Sequence, residues 1–211
     1  MSERERPAGY VSTTGWRAPR QWLADARRVD QAVYGAIAET PTPALDAGMS
    51  RLSRAADRSG LWISSAAVLA VLGGPPGRRA ALQGLVSVAV SSAVVNLGIK
   101  RVAGRRRPDR QAALVPPGRH VPMPTSRSFP SGHSASAFAF AAGVGSRQPA
   151  VAVPLHGLAG AVAYSRVHTG VHFPGDVVIG AVLGTVIAQL TTRAMDRYAG
   201  GRVAGASSAA E

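Results

Sequence analysis

A chain of 211 residues is long enough for one domain with a buried core and too short for two of ordinary size. Its formal net charge of +13 comes from 24 basic and 11 acidic residues, Lys100 being the single lysine, and with no cysteine it has neither disulfides nor thiolate metal sites. Aromatic residues make up 5%, and no zinc-ligand spacing or RNA-recognition motif accompanies the charge, which argues against a nucleic-acid partner.

Residues 1 to 22 contain no apolar run, so no cleaved signal peptide is expected. From Trp22, apolar residues recur at Ala26, Val29, Val33 and Ile37, in steps of three and four that trace one face of a helix. Thr42 followed by Pro43 has the pattern of an N-cap with proline at the first helical position, opening a second amphipathic helix through Leu45, Met49 and Leu52. Both segments carry too many charges to cross a bilayer. Their pattern fits a helical hairpin packed on the core and equally a helix pair lying in the membrane interface.

Five uncharged apolar segments follow, Leu61 to Gly74, Ala80 to Ile99, Ser134 to Ser146, Pro149 to Ser165 and Val177 to Thr192. Only the second reaches the roughly 20 residues that span a hydrocarbon core of about 30 Å. Five such segments in so short a chain, with Gly180 and Gly184 spaced to let helices approach closely, still favour a membrane protein over a soluble helical bundle. The expected fold is therefore all-α, a membrane-embedded bundle of about five transmembrane helices behind N-terminal amphipathic helices. Residues 1–59 form the amphipathic segment, 60–196 the bundle and 197–211 a disordered tail.

Charge collects where the apolar stretches end. Between Lys100 and Arg127 eight basic residues surround one acid, Asp109, a placement that suits a bound phosphate or an anionic headgroup. Lys100 ends the longest apolar segment, and Arg107 lies two turns further on, nearly on the same face if the helix continues to Pro108. Arg101, Arg105 and Arg106 read as membrane-edge anchors. Asn96, one turn before Lys100, either orients its ammonium or makes a helix contact. Pro130-Ser131-Gly132-His133 opens the third segment, where free N–H groups and the helix dipole offer an anion site beside His133.

Arg166 ends the fourth segment and can grip a phosphate with two parallel hydrogen bonds. His172 and Asp176 flank Pro174-Gly175. A carboxylate there would fix the imidazole tautomer and leave the other ring nitrogen free to attack phosphorus, unless the pair is only a structural hydrogen bond. His168 lacks a carboxylate at comparable spacing and reads as a loop or supporting residue. His156, inside an apolar segment, reads as satisfied by an interhelical hydrogen bond.

Lys100-x6-Arg107-Pro108, Pro130-Ser131-Gly132-His133 and Ser165-Arg166-x5-His172-x3-Asp176, in this order, resemble the three-part signature of the type 2 phosphatidic acid phosphatase and haloperoxidase superfamily. The match covers residues 100 to 176 at every signature position. The resemblance implies a phosphatase in which His172 forms a phosphohistidine, Asp176 orients it and His133 protonates the leaving group. Lys100, Arg107, Ser131, Gly132 and Arg166 would hold the phosphoryl oxygens. It implies no cofactor and no metal, and residues 60 to 194 hold only Asp109 and Asp176 as acids.

The expected substrate is a lipid phosphate, such as a polyprenyl phosphate or diphosphate derivative, phosphatidic acid or phosphatidylglycerol phosphate, hydrolysed at a cell membrane. Alternatives are a vanadate-dependent haloperoxidase, an acid phosphatase of the same superfamily on soluble substrates, and a non-catalytic phospholipid-binding protein. With five crossings, the active-site face carries most of the arginines, which favours the cytoplasmic side. Oligomeric state is not encoded in any of these features.

Overall fold

The computed structural model describes residues 19–208, and its elements are all helical, with no strand among the described residues. The stretch before residue 19, where a signal peptide would lie, and residues 209–211 fall outside them. Helices α1 (Pro19–Glu39) and α2 (Pro43–Ala55) precede α3 (Gly60–Leu72), α4 (Gly74–Val102), α5 (Gly132–Gly145), α6 (Ala152–His168) and α7 (Pro174–Ser208). Each of the five apolar segments has become one helix, α3 to α7. Helix α7 continues as far as Ser208, into the 197–211 stretch expected to be a disordered tail.

Length separates these helices. α4, at 29 residues, and α7, over Pro174–Gly200, are long and apolar enough to cross a membrane, and α2 with α3 qualifies as a third span if the pair, bent by 65°, is counted as one. α5 has 14 residues and α6 has 17, below the roughly 20 that a full crossing needs. Among the described helices the expected five crossings thus reduce, by length and composition, to two or three.

α5 sits at the centre, packed on α4, α6 and α7. It can do so because it is built of small residues: nine of its 14 are buried, among them Ala135, Ala137, Ala139, Ala141 and Gly143. Its neighbours approach on glycines. A Cβ at Gly184 of α7 would lie 2.1 Å from the Ala135 carbonyl oxygen, one at Gly180 2.5 Å from that of Ser131, and one at Gly84 of α4 2.6 Å from Val144. The Gly180/Gly184 pair is therefore a helix–helix contact, as its spacing predicts. Trp62 of α3 and Phe140 of α5, with ring centroids 5.4 Å apart, fill the centre of the larger core cluster.

The N-terminal helices turn most of their apolar faces outward, and of the residues on those faces only Ile37 of α1 and Leu52 of α2 reach the core clusters. On α1, Trp22, Val29 and Val33 are exposed, while Asp30, Tyr34 and Ala38 are buried. The orientation is set by polar and aromatic contacts that apolar periodicity does not register: Asp30 pairs with Arg105, and Tyr34 meets the edge of Phe173 at 5.3 Å. α2 starts at Pro43 as expected, but the Thr42 hydroxyl donates to Asp46 Oδ1 at 2.9 Å instead of accepting from the helix N-terminus, and the buried residues are Ser50 and Ser53. Between α2 and α3, Arg58 (φ 53°) and Ser59 (φ 60°) take left-handed backbone, costly for residues with a Cβ, and turn Asp57 toward α5.

Because the Gly184 contact is with backbone, it cannot be relieved by a rotamer change. Gly184→Val is expected to destabilise the bundle by about 1–3 kcal/mol, whereas Gly157→Ala, with no atom within 4 Å, leaves it unchanged. Thermal unfolding of the detergent-solubilised variants checks both.

Candidate active site

The three motifs converge at one end of the bundle. α4 contributes Lys100 directly after a π-helical stretch, Ala93–Ile99, a local rewinding of the sort often found where a helix must re-aim a side chain. Its helix ends at Val102, earlier than Pro108 would require, and Ala103 is already extended. Arg107 therefore reaches the site from a loop and not along a continuing helical face. Arg105 and Arg107 diverge to separate partners, which keeps these two like charges apart. Arg107 donates to the Ser126 carbonyl at 2.9 Å and the Val171 carbonyl at 3.0 Å, and its Nη1 lies 3.2 Å from His172 Nε2.

α6 ends in a turn that delivers His172. Gly170, at φ 69°, occupies the left-handed position after the helix, and the Arg166 carbonyl accepts the N–H groups of Val171 and His172 at 3.0 and 3.1 Å. A Cβ at Gly170 would press on Arg110 and Tyr34, at 2.9 and 3.0 Å. The Asp176 carbonyl, in the first turn of α7, accepts the Ser131 N–H at 2.9 Å and so ties the starts of α5 and α7 together.

His172 and Asp176 are both buried, with side-chain exposures of 1% and 0%. His172 Nδ1 lies 3.4 Å from Asp176 Oδ2, a loose contact, because that oxygen also accepts from the Ser128 hydroxyl and from the Phe173 N–H at 3.1 Å. Oδ1 faces Arg105 Nη1 at 3.1 Å. With a carboxylate on the Nδ1 side, the Nε2 lone pair faces Arg107. Burial pushes the His172 pKa down from 6.5 to about 3, outweighing the pull of Asp176, and the Arg107 cation acts in the same direction. The imidazole is neutral at any ordinary pH.

Beside this pair lies a cavity of about 220 Å³ whose walls include Ser59, Asn96, Lys100, Arg107, Gly132 and His133. A Cβ at Gly132 would stand 3.0 Å from Asn96 Oδ1 and 3.4 Å from Lys100 Nζ, so glycine keeps the N-terminus of α5 open to the cations of α4. Asn96 lines the cavity one turn from Lys100 and donates to Ser92 Oγ at 3.1 Å. A larger depression of about 380 Å³, on α1 at Gln21, Ala24, Asp25 and Arg28, holds none of these groups.

A second histidine–carboxylate pair reaches the cavity through His133, whose Nε2 donates to Asp57 Oδ1 at 2.8 Å. Arg166 is turned to the same carboxylate at 3.6 Å and hydrogen-bonds Ser53 Oγ at 2.5 Å, leaving its buried Nε without a partner among the described residues. Ser131 is fully buried as the N-cap of α5, accepting from the Ser134 N–H at 3.4 Å. Lys100, Arg107, Gly132 and His133 thus line the cavity, His172 and Asp176 lie behind Arg107, and Arg166 and Ser131 are engaged in structural bonds beside it.

Several roles expected from the sequence change. Arg105 is no edge anchor, since it bridges Asp176 and Asp30. His168 does have a carboxylate, Asp46 at 2.9 Å, which also accepts from the buried Arg119 at 2.8 Å. His156 bonds the Ala152 carbonyl of its own helix at 2.8 Å, not a neighbouring helix, and meets Phe138 edge-on. Asp57, Ser128, Asp30 and Arg105 are the site residues that sequence reading missed. Their partners lie 44 to 76 residues away. Among the described residues no three His, Asp or Glu side chains group as metal ligands.

The family model of the PAP2 superfamily matches residues 80–199. Decaprenylphosphoryl-5-phosphoribose phosphatase of Mycobacterium tuberculosis is 34% identical over 193 residues, covering 88% of this chain and 95% of that protein. Two crystal structures share the fold. LpxE of Aquifex aeolicus has a TM-score of 0.62 at 23% identity, over 78% of this chain and 95% of its own. A transmembrane PAP2-type phosphatidylglycerolphosphate phosphatase from Bacillus subtilis has a TM-score of 0.63 at 22% identity, over 82% and 87%.

The depressed His172 pKa has a direct consequence. Below pH 6.5 the unfolded chain takes up a proton at this residue that the folded chain refuses until about pH 3, so stability falls as pH drops through that window. Nitrogen NMR of histidine-labelled protein should show no His172 titration between pH 8 and 5, and a midpoint near 6.5 would contradict the geometry.

Proposed function

This chain belongs to the PAP2 superfamily and is a membrane-embedded phosphoric ester hydrolase, and we propose that it removes the terminal phosphate of a polyprenyl-linked lipid through a phosphohistidine at His172. One observation carries the mechanism: a buried neutral imidazole, backed by Asp176, turns its Nε2 to Arg107, which also walls the cavity together with Lys100. The substrate class is favoured by the mycobacterial relative, whose name specifies a phosphate on a decaprenylphosphoryl ribose and whose length this chain covers almost entirely.

The phosphoryl group enters the cavity from the helix ends while the lipid tail stays among the apolar helices. Arg107 moves off Nε2 onto the phosphoryl oxygens, joined by Lys100 and the N-terminus of α5 at Gly132. Nε2 then forms the N–P bond as the P–O bond breaks, and Asp176 stabilises the positive ring through Nδ1–H. His133, in its doubly protonated form with Nε2–H held by Asp57, gives the other ring proton to the leaving oxygen. It then takes one from water, whose oxygen displaces His172 and releases inorganic phosphate. Arg166 supports this half of the site by holding Asp57, and Ser131 by fixing the start of α5.

The charge distribution supports a site on the cytoplasmic face of a cell membrane, since α1, α2 and the 100–133 connection hold most of the arginines. Such a site would act on a lipid-linked sugar phosphate where it is made.

Purified protein in detergent, with EDTA present, is expected to release phosphate from a panel of lipid phosphates, fastest from a polyprenyl-linked one. His172→Ala should lose at least about a thousandfold and Asp176→Asn at least about a hundredfold in rate. His133→Ala should be slowed most on esters with poor leaving groups, and equal loss across leaving-group pKa values would count against its acid role. Full activity in His172→Ala would overturn the mechanism.

A further inference from the structure

We propose that Arg105 is a positioning residue for this hydrolysis: by clamping Asp176 to Asp30 it makes helix α1 a structural support of the nucleophile. The inference rests on the assignment of His172 and Asp176 above, and concerns a residue outside the three motifs.

An arginine that merely anchors a membrane edge extends its guanidinium toward headgroups. Arg105 does the reverse. Its side chain is three-quarters buried, its Cζ lies 4.1 Å over the face of Phe173, Nη1 donates to Asp176 Oδ1 at 3.1 Å and Nη2 donates to Asp30 Oδ2. The planar fork matters, because its two terminal nitrogens serve two carboxylates at once while the ring fixes its plane. A lysine would offer both carboxylates one nitrogen in place of two separated ones, with no plane for the ring to fix.

Asp30 closes the arrangement from the other side. Its Oδ1 accepts the Gly175 N–H at 2.6 Å, so the helix α1 carboxylate grips the first turn of α7, one residue before Asp176. A Cβ at Gly175 would come within 3.2 Å of that carboxylate, and glycine leaves it room. Asp176 is therefore held twice, through its Oδ1 by Arg105 and through its backbone neighbour by Asp30. Its Oδ2 remains for Ser128, Phe173 N–H and His172. Without the clamp, the carboxylate would lose its fixed direction toward Nδ1 and, with it, the orientation of Nε2. Phosphate binding in the cavity, by Lys100, Arg107 and Gly132, does not involve Arg105. The predicted signature is a loss in kcat with KM nearly unchanged.

The test uses full-length detergent-purified protein and the lipid phosphate that the wild-type chain cleaves fastest, with His172→Ala as control. Arg105→Ala is expected to lower kcat about a hundredfold with KM within twofold. Arg105→Lys and Asp30→Asn should each lower it about tenfold. Asp30→Asn should cost little more once Arg105 is already alanine, because both act on one carboxylate. A kcat within twofold of wild type in Arg105→Ala, or losses from Asp30→Asn and Arg105→Ala that multiply, would overturn the proposal. Should Arg105→Ala fail to fold, Arg105→Lys and Asp30→Asn decide: unchanged kcat in both overturns it, and reduced kcat at constant KM and unchanged melting temperature supports it. Inactive wild-type protein, or an active His172→Ala, would instead defeat the phosphatase mechanism itself.

Discussion

The burial of Asp176 is the constraint on which the rest of the site depends. A carboxylate with no exposure carries a desolvation cost of several kcal/mol unless its oxygens are fully occupied. Four groups from three separate stretches occupy them: Ser128, Arg105, and the Phe173 N–H with the His172 ring beside it. Satisfying this one side chain therefore fixes the 103–110 loop, the segment before α5, the turn after α6 and the first turn of α7 against one another. The Asp176 carbonyl completes the arrangement by receiving Ser131 at the start of α5.

Two histidine–carboxylate pairs then stand in very different surroundings, one reaching the cavity through His133 and the other behind Arg107. His172 and Asp176 are sealed, whereas His133 and Asp57 have side-chain exposures of 21% and 41%. A sealed neutral imidazole with an unprotonated Nε2 suits attack on phosphorus, and a partly hydrated one beside a carboxylate suits passing a proton between leaving group and water. In the proposed mechanism the division of labour follows from environment, since the residue types are the same. The cations are divided likewise, with Lys100 and Arg107 on the cavity wall, while Arg105 and Arg166 hold carboxylates in place.

What the sequence disclosed was whatever is encoded at short range. The five apolar segments became helices α3 to α7, and Gly180 and Gly184 mark a close approach that the structure contains. His172 and Asp176 are four residues apart and meet. The pairs that escaped reading join residues far apart in sequence: Asp57 with His133, Arg105 with Asp30, Asp46 with His168. No local period announces such a contact. Arg105 was further disguised by lying among Arg101, Arg106 and Arg107, since one arginine in a cluster looks like any other until packing separates them. The apolar runs of α5 and α6 fall short of a full crossing in the sequence and in the structure alike, and because these helices sit among others, the runs record helix packing as much as lipid.

Helix α1 shows how a small number of polar contacts can override a larger apolar pattern. Turning it to bury Trp22, Val29 and Val33 would gain about 1.5–3 kcal/mol for each side chain moved out of water. The same rotation would withdraw Asp30 from Arg105 and from the Gly175 N–H, leaving a buried arginine to satisfy Asp176 alone, and breaking such a buried pair costs about 3–5 kcal/mol. In water the two terms are comparable and the orientation would be poorly determined. Against a bilayer the first term shrinks, because an apolar stripe facing acyl chains has already left water, and the ion pair decides. The outward face of α1 is apolar while its inward face carries the carboxylate, so a single helix presents both a stripe suited to a membrane interface and a polar face that docks on the bundle.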